Sequence, residues 1–228
     1  MQLPTLRTLG TRFLGILLPP VCQVCGEPGE HDRELCGPCC LALPWHTDGC
    51  VRCAAPLPED AGDLCFRCED MPPLLDHCWA SLRYEDPVSA MLLRYKFHQD
   101  LAAGRLLAQL MALSPPPWPL SPLVAVPLHG SRLRRRGYDQ AAELARLIGV
   151  PRWHGLHRIR ATLPQSERGA DARRHNLDGA FAVHGPVPDA VVLVDDVMTT
   201  GSTLHACAQA LYAAGCKDVR AWACARVP

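Results

Sequence analysis

Apolar residues recur along this chain with two different periods, and the changes of period mark out its elements. Val191 to Val194 are four apolar residues in a row, mostly β-branched, and read as a strand buried on both faces. Leu123-Val-Ala-Val-Pro127 reads the same way, and Trp79 to Tyr84 and Arg220 to Ala225 predict two more strands. Between them the period lengthens. Val88 to Phe97, opened by Pro87, and Leu101 to Leu113 predict helices. Ala141, Leu144, Ala145 and Ile148 share one face of a helix over 138–148, and Ser202 to Ala214 predicts another. Strands alternating with helices predict an α/β fold, a parallel sheet flanked by helices on both faces.

The first third of the chain shows no such alternation. Leu3 to Leu18 carries Arg7 and Arg12 among apolar residues and predicts a short amphipathic helix over 1–20, ended by Pro19-Pro20. Pro72-Pro73 marks the next boundary. The expected layout is an N-terminal helix over 1–20, a small cysteine-rich module over 21–72 and an α/β domain over 76–228.

That module carries four C-x-x-C pairs in order: Cys22/Cys25, Cys36/Cys39, Cys50/Cys53 and Cys65/Cys68. A C-x-x-C turn aims two thiolates at one ion, and two such turns complete a tetrahedron. Four regular pairs predict two zinc ions. The simplest pairing is sequential, the first two pairs on one ion and the last two on the other. Spacing also admits an interleaved pairing, and Cys40 in place of Cys39. A thioredoxin-like redox pair explains one C-x-x-C beside a βαβ unit, not four. Four thiolates close a zinc site to substrate, so both zincs are expected to be structural. Cys207 and Cys224 fall in apolar runs and read as small core residues.

Composition adds mostly exclusions. The 228 residues have a formal net charge of zero, so no bulk charge announces a nucleic-acid partner. No apolar run reaches the roughly 18 residues of a membrane span. Leu14 to Leu18 is too short for a signal peptide, and no small-residue cleavage site follows. The expectation is a cytoplasmic chain with no membrane insertion. Without a secretion signal, the 13 cysteines favour metal over disulfides.

The most specific segment is Val191-Val-Leu-Val-Asp-Asp-Val-Met-Thr-Thr-Gly-Ser-Thr203. An apolar strand delivers Asp195 and Asp196 to its carboxyl end, where open α/β sheets bind ligands. Thr199, Thr200, Gly201, Ser202 and Thr203 then form the turn into a helix. Unpaired backbone N–H groups and the helix dipole favour an anion there. The segment resembles the phosphoribosyl-pyrophosphate (PRPP) motif of type I phosphoribosyltransferases. That resemblance implies that the two acids hold the ribose 2′- and 3′-hydroxyls and that residues 199–203 hold the 5′-phosphate.

Further residues extend the likeness. Tyr95-Lys-Phe97, Val126-Pro-Leu-His129 and Arg132-Leu-Arg-Arg-Arg-Gly-Tyr-Asp-Gln140 come in order, followed by Arg158, Arg160, Thr162, Gln165, Arg168, Arg173, Arg174 and Asn176. With the cysteine pairs and the acid-loop segment, the order resembles the ComF family, which joins an N-terminal double zinc module to a phosphoribosyltransferase-type domain. The resemblance implies pyrophosphate against the turn over 127–136, with Arg136 the first choice of contact and His129 lining the pocket. It implies a mobile hood over 158–176 and Mg²⁺ carried mainly by PRPP oxygens and water. Lys96 reads better as an exposed helix-end lysine than as a phosphate contact. Asp139 stands where the family pattern has Asn, which predicts weaker contact with an anion there.

Two readings of function follow from the resemblance. One is a Mg-dependent phosphoribosyltransferase, a glycosyltransferase acting on PRPP or another phosphorylated ribose, with an amine or base nitrogen as acceptor and with Asp195 and Asp196 central to catalysis. The other is a non-catalytic single-stranded DNA-binding protein that uses the same fold, with Tyr84, Tyr95, Phe97 and Tyr138 the nearest stacking candidates. Members of the family linked to natural transformation imply DNA-uptake proteins as partners.

Overall fold

The computed structural model describes residues 19–58, 60, 62–160, 177 and 179–228. The helix expected over 1–20 and the hood residues Thr162, Gln165, Arg168, Arg173, Arg174 and Asn176 lie largely or wholly outside these. The chain divides into two compact units, Met1–Leu43 and Pro44–Pro228.

The smaller unit is organised by its cysteines. Cys22 N–H donates to Glu27 O at 2.7 Å and Gly26 N–H to Cys22 O at 3.0 Å, which folds the first C-x-x-C into a tight turn. Gly26 closes it with φ of 82°, a left-handed conformation that glycine adopts without cost. The second pair begins at the N-cap of a short helix, α1 (Gly37–Leu41).

The larger unit repeats this pattern before the sheet begins. Cys50 N–H donates to Ala55 O at 2.8 Å and Ala54 N–H to Cys50 O at 2.7 Å, and Cys65 caps α2 (Phe66–Asp70). In this second turn Ala54 takes the glycine position, with φ of 50°. It is 2 % exposed and belongs to the same apolar cluster as the sheet.

The remaining elements are β1 (Cys78–Arg83), α3 (Val88–Phe97), α4 (Leu101–Leu113), β2 (Leu123–Ala125), α5 (Gly130–Arg136), α6 (Gln140–Ile148), β3 (Leu156–Arg158), β4 (Phe181–Val183), β5 (Ala190–Met198), α7 (Ser202–Ala213) and β6 (Asp218–Arg226). Strands β1, β6, β5 and β2 lie in that order in one sheet, and every pairing is parallel. Val191 to Val194 are almost fully buried, as a strand covered on both faces must be. Trp222 is buried too, and its indole N–H donates to Ser81 Oγ at 2.9 Å. Ser81 Oγ in turn donates to Ser114 O at 2.9 Å, so these two buried side chains find partners.

The fold class is the one expected, with three local differences. β5 runs four residues past Val194, so the acid pair lies within the paired part of the strand: Asp195 is in register with Ala223 of β6. The stretch expected as a turn over 127–136 contains the helix α5. Its caps explain it: His129 Nδ1 accepts from Ser131 N–H at 3.2 Å, and Gly137 ends it with φ of 85°. β3 and β4 form an antiparallel pair that three-residue segments are too short to announce.

α3 is held against α4 and α6 by Tyr95. A Cβ at Gly104 of α4 would come within 2.3 Å of the Tyr95 ring, so glycine permits the close approach. The Tyr95 hydroxyl donates to Gln140 O at 3.0 Å, and the Tyr138 hydroxyl donates to Tyr95 O. These contacts fix the end of α3 and with it Lys96.

Candidate anion-binding site and zinc centres

A polar cavity of about 260 Å³ opens at the carboxyl ends of β5 and β2. Asp195, Asp196 and all of Thr199 to Thr203 line it, together with Arg136, so the predicted site residues from three segments meet in one place. Gly201 has φ of 73° and N-caps α7. A Cβ there would sit 2.9 Å from Met198 Cε and strain the backbone as well, so this turn needs glycine. Thr200 Oγ1 lies 2.7 Å from Ser202 Oγ, which ties the loop's hydroxyls together beside the first N–H groups of α7.

α5 settles which arginines face the cavity. Arg132 and Arg136, four residues apart on one helical face, line it; Arg134 and Arg135 are exposed and do not. Arg136 is braced from two sides. Its Nη1 donates to Gln140 Oε1 at 2.9 Å, and its guanidinium lies 5.4 Å from the centre of the Phe97 ring. Arg158 reaches the cavity from β3, over the Phe181 ring at 5.4 Å. Burial lowers the Arg132 pKa, and the nearby Arg136 and Arg135 charges add to this. Neighbouring guanidinium groups of this kind are relieved by an anion.

Opposite them the acid pair is unusual. Lys96 Nζ lies 2.9 Å from Asp196 Oδ1, and the Lys96 side chain is only 20 % exposed. The preferred reading of Lys96 as an exposed helix-end lysine is therefore corrected: it belongs to the cavity. The helix ending at Phe97 turns it inward, and its period alone could not say where the sheet would lie. Burial, followed by the Asp196 charge, raises the Asp195 carboxyl to about 8; Lys96 and the Asp196 N–H, 2.9 Å from Asp195 Oδ1, oppose the rise.

Two further positions take other roles. His129 caps α5 and is not among the residues lining the cavity. Asp139 lines the cavity but is occupied with the backbone, accepting from Ala142 N–H and Leu128 N–H at 3.0 Å each. It thereby caps α6 and pins the segment after β2. An Asp-x-x pattern opening an apolar helical run is an N-cap signal, so this role was readable in the sequence.

The cysteines form two separate clusters. The sulfurs of Cys22, Cys25, Cys36 and Cys39 lie within 4.8 Å of one another, and so do those of Cys50, Cys53, Cys65 and Cys68. The pairing is thus sequential, not interleaved, and Cys39 rather than Cys40 completes the first set. Cys25 and Cys36 Sγ are 3.6 Å apart, and Cys53 and Cys65 Sγ 3.7 Å. Zinc–sulfur bonds of about 2.3 Å in a tetrahedron place sulfurs about 3.8 Å apart, so both sets fit zinc. At the first cysteine of each cluster the backbone favours thiolate, whereas Cys25 and Cys39 are shifted up by the neighbouring sulfurs and by burial, and Cys53 and Cys68 by burial and by the neighbouring sulfurs. Burial raises the Cys22 thiol, but the N–H groups of Cys25, Cys36 and Val24 outweigh it and bring it down to about 6. Cys50 is lowered in the same way, by N–H groups of Cys65, Arg52 and Cys53 acting against burial.

Together these features define a double zinc-ribbon protein whose α/β domain carries an acidic pair and a hydroxyl-rich loop in one cavity. Residues 13–69 match the family described as "Double zinc ribbon domain". Over its length the chain is 33 % identical to the DNA utilization protein YhgH of Salmonella typhi, covering 92 % of this chain and 99 % of that protein. It is 31 % identical to Competence protein F of Haemophilus influenzae, covering 78 % of this chain and 84 % of that protein. Competence protein ComFC of Streptococcus pneumoniae is 24 % identical over 64 % of this chain and 67 % of its own. The chain belongs to the ComF family of competence and DNA utilization proteins.

Proposed function

We propose that the cavity binds PRPP and that the chain transfers its phosphoribosyl group to an amine or base nitrogen. The observation that carries this reading is the convergence in one cavity of Asp195 and Asp196, the 199–203 loop, and Arg132 with Arg136. The acid pair accepts from the ribose hydroxyls through its carboxyl oxygens, the loop and the start of α7 take the 5′-phosphate, and the arginines take the pyrophosphate. In the transfer, the bond from the anomeric carbon to pyrophosphate oxygen breaks as the bond to the acceptor nitrogen forms. The leaving pyrophosphate keeps the electron pair, and the acceptor nitrogen gives up a proton to it or to water. Fixed guanidinium donors favour the charge that develops on the leaving group.

Mg²⁺ would neutralise pyrophosphate charge in this scheme. The donor set suits a metal that arrives with its ligand: Asp139 is occupied by backbone N–H groups and Asp196 by Lys96, so the described residues of the cavity present no ready carboxylate cage. Calorimetric titration with PRPP and Mg²⁺ tests the reading. Asp195→Asn/Asp196→Asn is expected to weaken binding by at least about tenfold, or about 1.4 kcal/mol, with zinc content unchanged. Unaltered affinity in a folded double variant overturns it.

A second reading is binding of single-stranded DNA, and relatives named DNA utilization protein and competence protein accord with a role in handling DNA. Arg134 and Arg135, exposed on the outer side of α5, are suited to phosphates. DNA-uptake proteins are the corresponding partners. A cytoplasmic location accords with thiolates held for zinc and not oxidised to disulfides. No helix among the described residues is long and apolar enough to cross a membrane.

A further inference from the structure

A second cavity lies on the other flank of the 199–203 loop. It is about 520 Å³, larger than the 260 Å³ of the first, and Thr200, Gly201 and Ser202 line both. Its opposite wall comes from the second cysteine cluster, through Cys53, Cys65 and Cys68. A volume in this range suits a nucleotide-sized ligand.

Its chemistry is two-sided. Arg52, Arg67 and Arg226 supply three guanidinium groups, and none of the described lining residues is acidic. Two of these cations are held by neutral backbone acceptors: Arg52 Nη1 donates to Leu75 O at 2.8 Å, and Arg226 Nε to Cys53 O at 3.0 Å. Their orientation is therefore fixed and no carboxylate among the described residues lines the cavity beside them, so the negative charge nearest to them is that of the zinc-binding thiolates in the same wall. Met71, Pro72 and Leu75 add apolar lining to the same cavity. In the chain between the lining residues Cys65 and Arg67 stands Phe66, which does not itself line the cavity and is 85 % exposed. An aromatic this exposed contributes little to the core, and exposed rings are what bases stack on along a single strand.

We propose that this cavity holds one nucleotide of a single-stranded DNA, its phosphate on the arginines, its base on the apolar lining and the neighbouring base on Phe66. The inference rests on the strand-binding reading and gives that reading a location. Tyr95, fully buried, cannot serve there. The shared loop places the strand beside the PRPP cavity without using its acid pair.

The test is fluorescence anisotropy of labelled short oligothymidylate with the full, zinc-loaded chain. Three exposed positions, Arg67 and Met71 in the cavity lining and Phe66 next to it in the chain, are changed singly: Arg67→Glu, Met71→Glu and Phe66→Ala. None has a side-chain hydrogen bond that folding requires, and zinc analysis with circular dichroism confirms each preparation. Each is expected to weaken oligothymidylate binding by about tenfold, while PRPP affinity holds. Arg105→Glu, on an exposed face of α4 that does not line the cavity, makes the same charge change as Arg67→Glu and is expected to leave binding near wild type. Equal losses in Arg67→Glu and Arg105→Glu, or no loss at the three cavity positions, overturn the location while leaving strand binding intact. Absence of oligothymidylate binding by the wild type overturns both.

Discussion

Asp195 shows how far a single residue can be read from its neighbours. An adjacent acid pair after a strand was plain in the sequence. That Lys96 would meet one acid while burial raised the other required the sheet to exist. The raised pKa has a direction in stability. An unfolded Asp ionises near 3.8, whereas here the carboxyl keeps its proton to about 8, so folding binds a proton between these values. The stabilisation is fully present below the unfolded value and is lost as pH rises through about 8. Asp195→Asn removes the titration. Melting temperatures measured from pH 5 to pH 9 are expected to fall less steeply in the variant than in the wild type. Ala54 makes the complementary point. Gly26 closes the first turn as glycine; Ala54 adopts the same left-handed geometry with no glycine to signal it. Ala54→Gly relieves a backbone cost of about 1–2 kcal/mol. It also gives up a buried methyl worth about 0.8 kcal/mol and adds about 0.5–1 kcal/mol of chain entropy. The expected net change in denaturant midpoint is small, and a large loss would show that the methyl's packing dominates.

At the scale of elements, what was legible depended on periodicity. α3 and α4 carry enough apolar residues to show their period, and their observed bounds agree with those expected from the sequence. α5 is charged along most of its length and has no buried residue, so no apolar stripe betrayed it. Only its caps made it a helix, and the helix is what divides its arginines into two faces. This division yields a prediction at the same scale. Arg136→Ala is expected to weaken PRPP more than ribose 5-phosphate, because only PRPP carries the pyrophosphate. Arg134→Ala is expected to leave both affinities unchanged and to lower the salt slope of oligonucleotide binding by about 0.7. Titrations of both ligands with both variants check it, and equal effects of the two substitutions would mean that the helical face does not select.

For the molecule as a whole, the number of zinc sites was legible in the cysteine spacing, but their different surroundings were not. Sequence presents four equivalent turns. In the fold, the first cluster lies in the 1–43 unit and the second in the unit that contains the sheet. The second is bonded into that sheet: Cys78 N–H of β1 donates to Val51 O at 2.7 Å, within the turn that links Cys50 to Cys53. Arg226, at the end of β6, donates from Nε to Cys53 O at 3.0 Å and from Nη1 to Met198 O at 3.4 Å, next to the 199–203 loop. A zinc turn whose carbonyl anchors the same arginine as the loop's approach must influence that loop. Losing the second metal removes the cross-link that holds the turn in shape, and structural zinc contributes directly to folding. Cys22→Ser is therefore expected to cost one zinc and to leave amide exchange in the 190–228 segment as it is. Cys50→Ser is expected to cost one zinc and to speed exchange in the 196–205 loop and in β6. Elemental analysis with hydrogen–deuterium exchange on both variants reads metal and loop together. Equal exchange in the two variants would show that the second zinc, like the first, stabilises only its own turns.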